Sequence, residues 1–449
     1  MKMMPSANKP RTTANPSSWS PAHHHNSPQL GIAGATAIGV GGMVGGGIFA
    51  VLGTAVSIAG GGTPLAFILA GVIALLTAYS YAKLSVAFPS AGGTVVFLDR
   101  AFGIDLATGT LNVMLWLCYL VTIALYAAAF GAYGATFFSH PAPWVEHTLV
   151  SVGILLPALI NLLDSDIVGK SEIYVVTGKL LLLTVVIVAG LPGIDFARIS
   201  VTDIPHPLSL IAGGMVIFVA YEGFELIANA AEDVKRPAHT LPLALYGSVF
   251  LVLTLYVLIA VVTVGSVDPA IIPKVKDYAL AEAARPALGH AGFVLVSVSA
   301  LMATFSAINA TVYGNARLGY TLARDGELPE RLEQKTWNRP VAGVLLTALL
   351  SLLLANLVDL TGIAIMGSAG FLIIFAVVNL SNLKLASITK ANRAVAALGF
   401  FACVAALATL LYHTAEDQPS SLGIVIGMVL SAFLFELIYP RLSGRKLRI

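Results

Sequence analysis

Three kinds of residue that could do chemistry stand inside long apolar stretches of this chain. Six glycines lie between positions 39 and 47, in the first apolar stretch. Glu222 and Glu225 interrupt another apolar stretch, and Lys179 lies in the middle of a third. Ionisable side chains in such surroundings are costly, and they usually face a protein interior or a wet cavity. These residues are therefore our candidates for a buried site.

The composition predicts a polytopic membrane protein. Of the 449 residues, 57% are hydrophobic and 11% are charged, and the mean hydropathy is +0.87. A soluble globular chain carries roughly 25% charged residues. This excludes a soluble multidomain enzyme, a disordered protein and a nucleic-acid binder with a basic surface. The two cysteines lie in apolar runs, which predicts neither a disulfide framework nor a metal site, and we expect no cofactor.

We identify twelve apolar runs of about 20 residues, the length that crosses a bilayer. They cover 31–58, 63–88, 106–138, 147–163, 171–191, 208–231, 242–266, 291–322, 341–358, 361–383, 395–412 and 421–440. Residues 1–29 are polar and predict a disordered tail. We therefore expect twelve transmembrane helices.

The basic residues predict the orientation of these helices. With the N-terminus inside, twenty lysines and arginines fall on the cytoplasmic side and four on the other, leaving only Lys179 at mid-membrane. Cytoplasmic loops carry the excess of Lys and Arg. We therefore expect a multi-pass protein of the plasma (inner) membrane with both termini in the cytoplasm.

The glycine cluster predicts a break in the first helix. Each glycine costs about 1 kcal/mol against alanine in a helix interior. Irregular backbone at membrane depth survives only where it is buried in protein or lines a cavity. Free N–H groups at such a break suit a carboxylate. The alternative is close helix packing through small residues.

A second break is predicted in the sixth helix, where Glu222, Gly223 and Glu225 interrupt an apolar run. Unwound carbonyls at such a break suit a cationic amine. As the alternative, one or both glutamates form a structural ion pair with Lys179. Interruptions in helices one and six are the pattern of a five-plus-five inverted repeat, whose substrate binds near the midplane between the broken helices. The corresponding units are a tail at 1–29, repeats at 30–200 and 201–390, and two further helices with a basic tail at 391–449.

Four blocks of sequence resemble the amino acid–polyamine–organocation (APC) transporter superfamily. They are Gly-Gly-Gly-Ile-Phe at 45–49, the stretch 80–103 with Phe-Pro-Ser-Ala-Gly-Gly at 88–93, Ala-Glu-Asp-Val-Lys-Arg-Pro at 231–237, and 316–329 with Leu-Ala-Arg-Asp-Gly-Glu-Leu-Pro at its end. They follow one another in the family order. The resemblance implies a leucine-transporter-like fold and the transport of amino acids.

The resemblance also implies roles for particular residues. Backbone N–H groups around Gly42, Gly45, Gly46 and Gly47 would bind the substrate carboxylate. The substrate amine would bind the carbonyls of Val219, Ala220 and Glu222. Lys179 resembles the fifth-helix lysine of proton-coupled and exchanging members, whose ammonium takes the place of a sodium ion, and Ser306 would lie near it.

Two residues depart from the family pattern. Val219 stands where many members have an aromatic gate, which leaves Phe218 and Tyr221 as candidate gates, with Glu225 beside them. Glu222 stands where a small or apolar residue is usual. It could select a cationic substrate, carry a proton or neutralise Lys179.

The function we predict is secondary transport of amino acids, as proton-coupled uptake with Lys179 as the coupling residue. A desolvated lysine flanked by carboxylates can change protonation near neutral pH. A permanently charged Lys179 would equally suit an amino acid or polyamine exchanger. A cation channel is a further alternative, and a membrane-embedded enzyme lacks any motif. The expected partners are a small amino acid or amine, protons and membrane lipid, without nucleic acid; the substrate and the oligomeric state stay open.

Overall fold

The computed structural model describes residues 30–163, 166–200, 207–332 and 341–443, and the elements in these ranges are all helical. The α-helices in chain order are α1 (Ile32–Met43), α2 (Gly47–Ala59), α3 (Thr63–Ala87), α4 (Thr94–Phe102), α5 (Leu106–Ala135), α6 (Pro143–Leu163), α7 (Asp166–Gly190), α8 (Pro207–Val216), α9 (Leu226–Asn229), α10 (Pro237–Ser266), α11 (Ile272–Val275), α12 (Ala279–Arg324), α13 (Val341–Leu357), α14 (Leu360–Lys384), α15 (Ala386–Thr389), α16 (Arg393–Asp417) and α17 (Pro419–Ser443). A 3-10 segment, Phe218–Glu225, connects α8 to α9. The tail at 1–29 lies outside the described residues.

The described residues contain nine helices that are long and apolar enough to cross a membrane. A bent pair, Leu208–Val216 with Phe218–Asn229, makes a tenth if it is one span. The shorter apolar helices α1 and α13 fall below the length that a span needs alone. Each of the twelve predicted segments coincides with helix, and the polytopic class is confirmed, while the count of twelve and the inverted repeat stay predictions.

Burial separates central helices from peripheral ones. The most apolar windows of α5 and α14 are 83% buried, whereas those of α16 and α17 are 28% buried. A helix that is apolar all round belongs in a core or a membrane. We infer that α5 and α14 form the centre of the bundle and that α16 and α17 present apolar side chains such as Phe401 outward.

Two backbone hydrogen bonds connect the residue before α1 with the segment that follows α9. The Leu30 N–H donates to Asp233 O at 2.7 Å, and the Lys235 N–H donates to Leu30 O at 2.8 Å. Leu30 thereby forms an isolated parallel bridge with Val234. The entry of α1 is fixed against the segment that follows α9.

One helix boundary differs clearly from the prediction. α12 begins at Ala279, whereas the sequence places the start of the eighth span at 291. The helix is kinked at Gly289, which has a φ of 62°. Glycine adopts positive φ without the steric penalty of other residues. The residues before the kink form a helical arm, and the predicted span begins just after the kink.

Candidate functional site

The first predicted break is present where the glycines are. α1 ends at Met43, Val44 to Gly46 form turns, and α2 begins at Gly47. Because the first four N–H groups of a helix have no partner within it, the start of α2 offers donors at this break. The sequence prediction of an interrupted first helix is thus matched by the structure.

The last carbonyls of α1 are bound by side chains from three other helices. Val40 O accepts the Val44 N–H at 2.8 Å, as a normal helix end does. The next three carbonyls accept from side chains: Gly41 O from Lys179 Nζ at 3.0 Å, Gly42 O from the Tyr126 hydroxyl at 3.3 Å, and Met43 O from the Tyr256 hydroxyl at 2.6 Å. Side chains of α7, α5 and α10 therefore stabilise the end of this half-helix, and the lysine adds the positive charge that a helix C-terminus favours.

The glycines of the break are also packed too closely for any side chain. A Cβ on Gly47 would lie 2.8 Å from Ala220 Cα, and one on Gly45 would lie 2.7 Å from Ala307 Cβ. A Cβ on Gly46 would collide with the Tyr126 ring. The two interpretations of the glycines, a break and close packing, both hold.

The second break lies at Ile217, a few residues before the Glu222, Gly223 and Glu225 from which it was predicted. α8 ends at Val216, the chain bends by 43°, and the tighter 3-10 segment follows. Ser368 on α14 spans the bend, because its hydroxyl accepts from the Val219 N–H at 2.9 Å and donates to Val216 O at 2.8 Å. A serine from the centre of the bundle thus binds backbone groups that a continuous helix would pair internally.

The two breaks contact each other directly. A Cβ on Gly42 would lie 3.0 Å from Gly223 Cα, so the two backbones meet through glycines on both sides. The Tyr256 hydroxyl, which donates to Met43 O, also lies 3.3 Å from Ala220 O. One side chain of α10 therefore contacts a buried backbone carbonyl of each interrupted helix.

Glu222, Glu225 and Lys179 are buried at this junction, with 3%, 1% and 4% of their surface exposed. Glu222 Oε1 accepts from Thr122 Oγ1 at 3.0 Å and from the Tyr126 hydroxyl at 3.4 Å. The described groups that donate to the Glu222 carboxylate are therefore neutral hydroxyls of α5.

Glu225 belongs to a different polar cluster. Its Oε2 accepts from the Tyr81 hydroxyl at 2.8 Å and from Thr94 Oγ1 at 3.2 Å. Its Oε1 has no hydrogen-bond partner among the described residues. Glu222 and Glu225 thus accept hydrogen bonds from different residues, although they are three residues apart.

The remaining predicted residues occupy less direct positions. Ser306 is half-buried on α12, next to the Ala307 that covers Gly45. Phe218 packs edge-on against Phe375, with ring centroids 5.8 Å apart, and the Tyr221 hydroxyl donates to Phe67 O at 3.0 Å. The contact of Ser306 with Lys179 and the gating roles of Phe218, Tyr221 and Glu225 stay predictions.

Two small cavities lie beside the junction. The first, of about 100 Å³, is lined by Gly42, Tyr126, Glu222 and Gly223 among others. The second, of about 120 Å³, extends to Arg317 near the end of α12. Tyr119 and Leu226 line both cavities, so the two cavities are neighbours.

Sequence reasoning missed the α5 side chains that complete the site. Tyr119, Thr122 and Tyr126 are three and four residues apart, so they share one face of a helix. That spacing of polar side chains inside an apolar span was a readable signal. Ser368 and Tyr256 carry no comparable signal, because single hydroxyl groups in apolar helices are common.

Comparisons with known proteins agree with this architecture. The sequence model described as amino acid permease matches residues 30–435. The chain is 32% identical to the inner membrane transport protein YbaT of Escherichia coli, over 93% of this chain and 97% of that protein. It is 34% identical to the uncharacterized protein MJ0609 of Methanocaldococcus jannaschii, over 93% and 96%. It is 30% identical to cationic amino acid transporter 9, chloroplastic, of Arabidopsis thaliana, over 67% and 56%.

These matches bear on two predictions from the sequence. The relatives that have functional names are named as transporters, which confirms the prediction that the chain is not an enzyme. The family model covers both interrupted helices and all four of the motif blocks. The chain belongs to the amino acid permease family of the APC superfamily.

Proposed function

We propose that this protein is a secondary active transporter of amino acids that works by alternating access. One observation carries the proposal: two interrupted helices meet backbone to backbone at Gly42 and Gly223. A buried lysine of α7 binds a carbonyl of the first, and the second carries the buried carboxylate of Glu222. Discontinuous helices of this kind bind anionic groups at half-helix N-termini and cationic groups at unwound carbonyls. An amino acid carries both groups.

The substrate carboxylate binds the N–H groups of Gly45, Gly46 and Gly47, with Gly42 beside them, and the amine binds carbonyls of Val219, Ala220 and Glu222. Support comes from the position of these groups on the two facing breaks. The Tyr126 ring packs against Gly46 on the side where a Cβ would point. We assign the gating movement to Tyr126 in addition to Phe218, Tyr221 and Glu225.

The two halves, 30–200 and 201–390, form an inverted repeat that rocks about the junction. The contact between the breaks supports this arrangement. The protein lies in the plasma (inner) membrane with both termini in the cytoplasm, as its basic residues indicate.

Lys179 couples transport to protons. Its ammonium binds Gly41 O, one residue before the carbonyls held by Tyr126 and Tyr256. Loss of the proton would weaken this contact at the end of α1 and so change the geometry of the break. A permanently charged Lys179 predicts an exchanger instead, and the measurement that separates the two closes the Discussion.

The substrate is cationic in this proposal. Glu222 is buried and lines the first cavity, and its two described partners are neutral hydroxyl groups. A buried carboxylate is costly unless it is paired with a positive charge. Several relatives, including one from Mus musculus, are named as cationic amino acid transporters.

A thermal-shift screen against the twenty amino acids and common polyamines tests the substrate class. A ligand that binds only the folded state raises the apparent Tm by mass action. Counterflow of the best ligand into pre-loaded proteoliposomes then distinguishes carrier from channel. Stabilisation by a cationic amino acid together with saturable counterflow supports the proposal, whereas uptake without counterflow identifies a channel.

A further inference from the structure

A third cavity lies away from the transport site and is much larger than the two beside the breaks. Its volume is about 580 Å³. It is formed by the last turns of α3, the first turns of α10 and the short helix α15. Binding pockets for small molecules commonly measure about 300–1,000 Å³. The cavity therefore has the size of a binding site, although the junction of the broken helices does not reach it.

Two lysines and two tyrosines line this cavity, together with apolar side chains. The lysines are Lys83 and Lys390, and the tyrosines are Tyr79 and Tyr246. Among the described residues, neither ammonium forms an ion pair with a carboxylate. Two positive charges thus share one cavity, and their charge is not neutralised by a described acidic group.

The second lysine, Lys390, has a strained backbone conformation. Lys390 follows α15 with a φ of 52°, in the left-handed region. Glycine is the usual residue at such a helix end, and this conformation is strained for a residue with a side chain. The Asn392 N–H donates to the Tyr79 hydroxyl at 2.6 Å, which fixes the loop after Lys390 against α3. Lys83 Nζ lies 5.9 Å from the centroid of the same tyrosine ring.

The rim of the cavity is apolar and faces outward from the bundle. Val86, Pro242 and Ile388 line it, and Ile388 is 59% exposed. Leu243 beside Pro242 is 46% exposed. Lysine side chains extend their charge to the membrane interface while their stems cover apolar surface, and tyrosines concentrate at the same depth. The cavity thus combines positive charge at one end with an apolar side. An anionic phospholipid combines negative charge at one end with apolar chains.

We propose that this cavity binds the phosphate headgroup of an anionic phospholipid, with the phosphate between Lys83 and Lys390 and the acyl chains along Ile388 and Leu243. Basic pockets between membrane helices recognise anionic headgroups in this way. All lining residues lie at the end of the bundle that carries the predicted cytoplasmic loops, where anionic lipid concentrates.

The test titrates delipidated protein in detergent with dioleoylphosphatidylglycerol or with dioleoylphosphatidylcholine and measures the Tm. The wild type should be stabilised more by phosphatidylglycerol, because bound ligand stabilises by mass action. In the double variant Lys83→Gln, Lys390→Gln, which removes both charges and keeps polar side chains, the apparent affinity for phosphatidylglycerol should fall roughly tenfold or more, as the loss of charged hydrogen bonds worth about 1.5–3 kcal/mol predicts. The variant Lys83→Arg, Lys390→Arg should retain most of it.

A charge-matched control removes two exposed basic residues that do not line the cavity, Lys274→Ala with Arg441→Ala. It should respond to phosphatidylglycerol like the wild type. Equal stabilisation by the two lipids, or an unchanged response of the Gln variant, would overturn the proposal. Glycerol 3-phosphate serves as the soluble probe: stabilisation by it at the same concentration would assign the cavity to a soluble phosphate compound and not to lipid.

Discussion

At the scale of single residues, Gly46 shows how a missing side chain can serve transport. The ring of Tyr126 occupies the space that a Cβ at position 46 would need. The hydroxyl of the same tyrosine lies 3.3 Å from Gly42 O and 3.4 Å from Glu222 Oε1, so it contacts both the carboxylate-binding and the amine-binding sides of the proposed site. A side chain at position 46 would displace the residue that unites the two sides.

We expect Gly46→Ala to lower uptake by roughly tenfold or more, since overpacking of a filled site costs about 1–3 kcal/mol. Initial uptake rates in proteoliposomes measure the loss, with the amount of protein held equal. Gly247→Ala is the matched control, because no atom lies within 4 Å of a Cβ at that position in a membrane helix. Equal uptake by both variants would mean that the first break is not the substrate site.

Glu222→Gln tests whether the carboxylate recognises a positive charge. The substitution keeps the shape and lets the amide oxygen accept from Thr122 and Tyr126. Binding of lysine or arginine should weaken by about 1.5–3 kcal/mol, roughly 10- to 100-fold, with neutral amino acids much less affected. Thermal shift against each ligand gives the comparison. Equal losses for cationic and neutral ligands would indicate a structural or proton-carrying glutamate.

The residues of the site were predictable from sequence only where they break a local rule. Gly45, Gly46 and Gly47 violate helix propensity, and Glu222 and Lys179 violate the apolar pattern of a membrane span. Tyr256 and Ser368 are residue types that apolar membrane helices commonly contain, so their contacts with distant backbone groups appear only in the folded protein. Glu222 and Glu225 share a helical spacing, yet the 3-10 segment and the crowded junction give them different partners.

At the scale of helices, the interruptions depend on other helices for their hydrogen bonds. Every carbonyl from Val40 to Met43 has an acceptor role in the structure, three of them through side chains of α5, α7 and α10. Unpaired backbone groups in a membrane interior cost several kcal/mol. The breaks are therefore specific structures and not merely weak points in two helices.

Tyr256→Phe removes the hydroxyl that contacts both breaks. We expect a lower Tm, because the buried Met43 carbonyl loses its partner at a cost of about 1–3 kcal/mol, and a smaller ligand-induced rise in Tm. Tyr412→Phe is the control, since its hydroxyl binds Glu416 at the exposed end of α16. A normal ligand response in Tyr256→Phe would show that Tyr256 supports the fold alone and does not position the substrate-binding backbone.

Helix positions followed closely from apolar length, because each span must satisfy its own backbone within the bilayer. The start of α12 was the clearest miss. Residues 279–288 are helical but include Glu282, Arg285 and Pro286, which ended the apolar run and masked the helix before the Gly289 kink. The 3-10 segment was likewise outside the reach of hydropathy, which registers polarity and not helix type.

At the scale of the whole molecule, the proposed transport site and the proposed lipid site differ in how closely they are packed. The junction of the breaks is closely packed and has cavities of about 100 and 120 Å³ beside it, whereas the lysine-lined cavity at the bundle end is larger, at about 580 Å³. Rocking of one half against the other would change the junction while leaving the peripheral α16 and α17 in lipid. Transport and lipid binding can therefore be separated by mutation.

The central claim is that an inward proton gradient drives uptake through Lys179, and gradient-driven uptake in proteoliposomes tests it most directly. The ligand identified by thermal shift is supplied outside vesicles of purified wild type or Lys179→Ala, with or without an acidic exterior, and exchange is measured on pre-loaded vesicles of both. The account predicts wild-type uptake that rises as the external pH falls and collapses with a protonophore, and Lys179→Ala uptake at background while the ligand still binds in detergent. Wild-type uptake that ignores the gradient, with exchange intact, would contradict proton coupling and identify an exchanger.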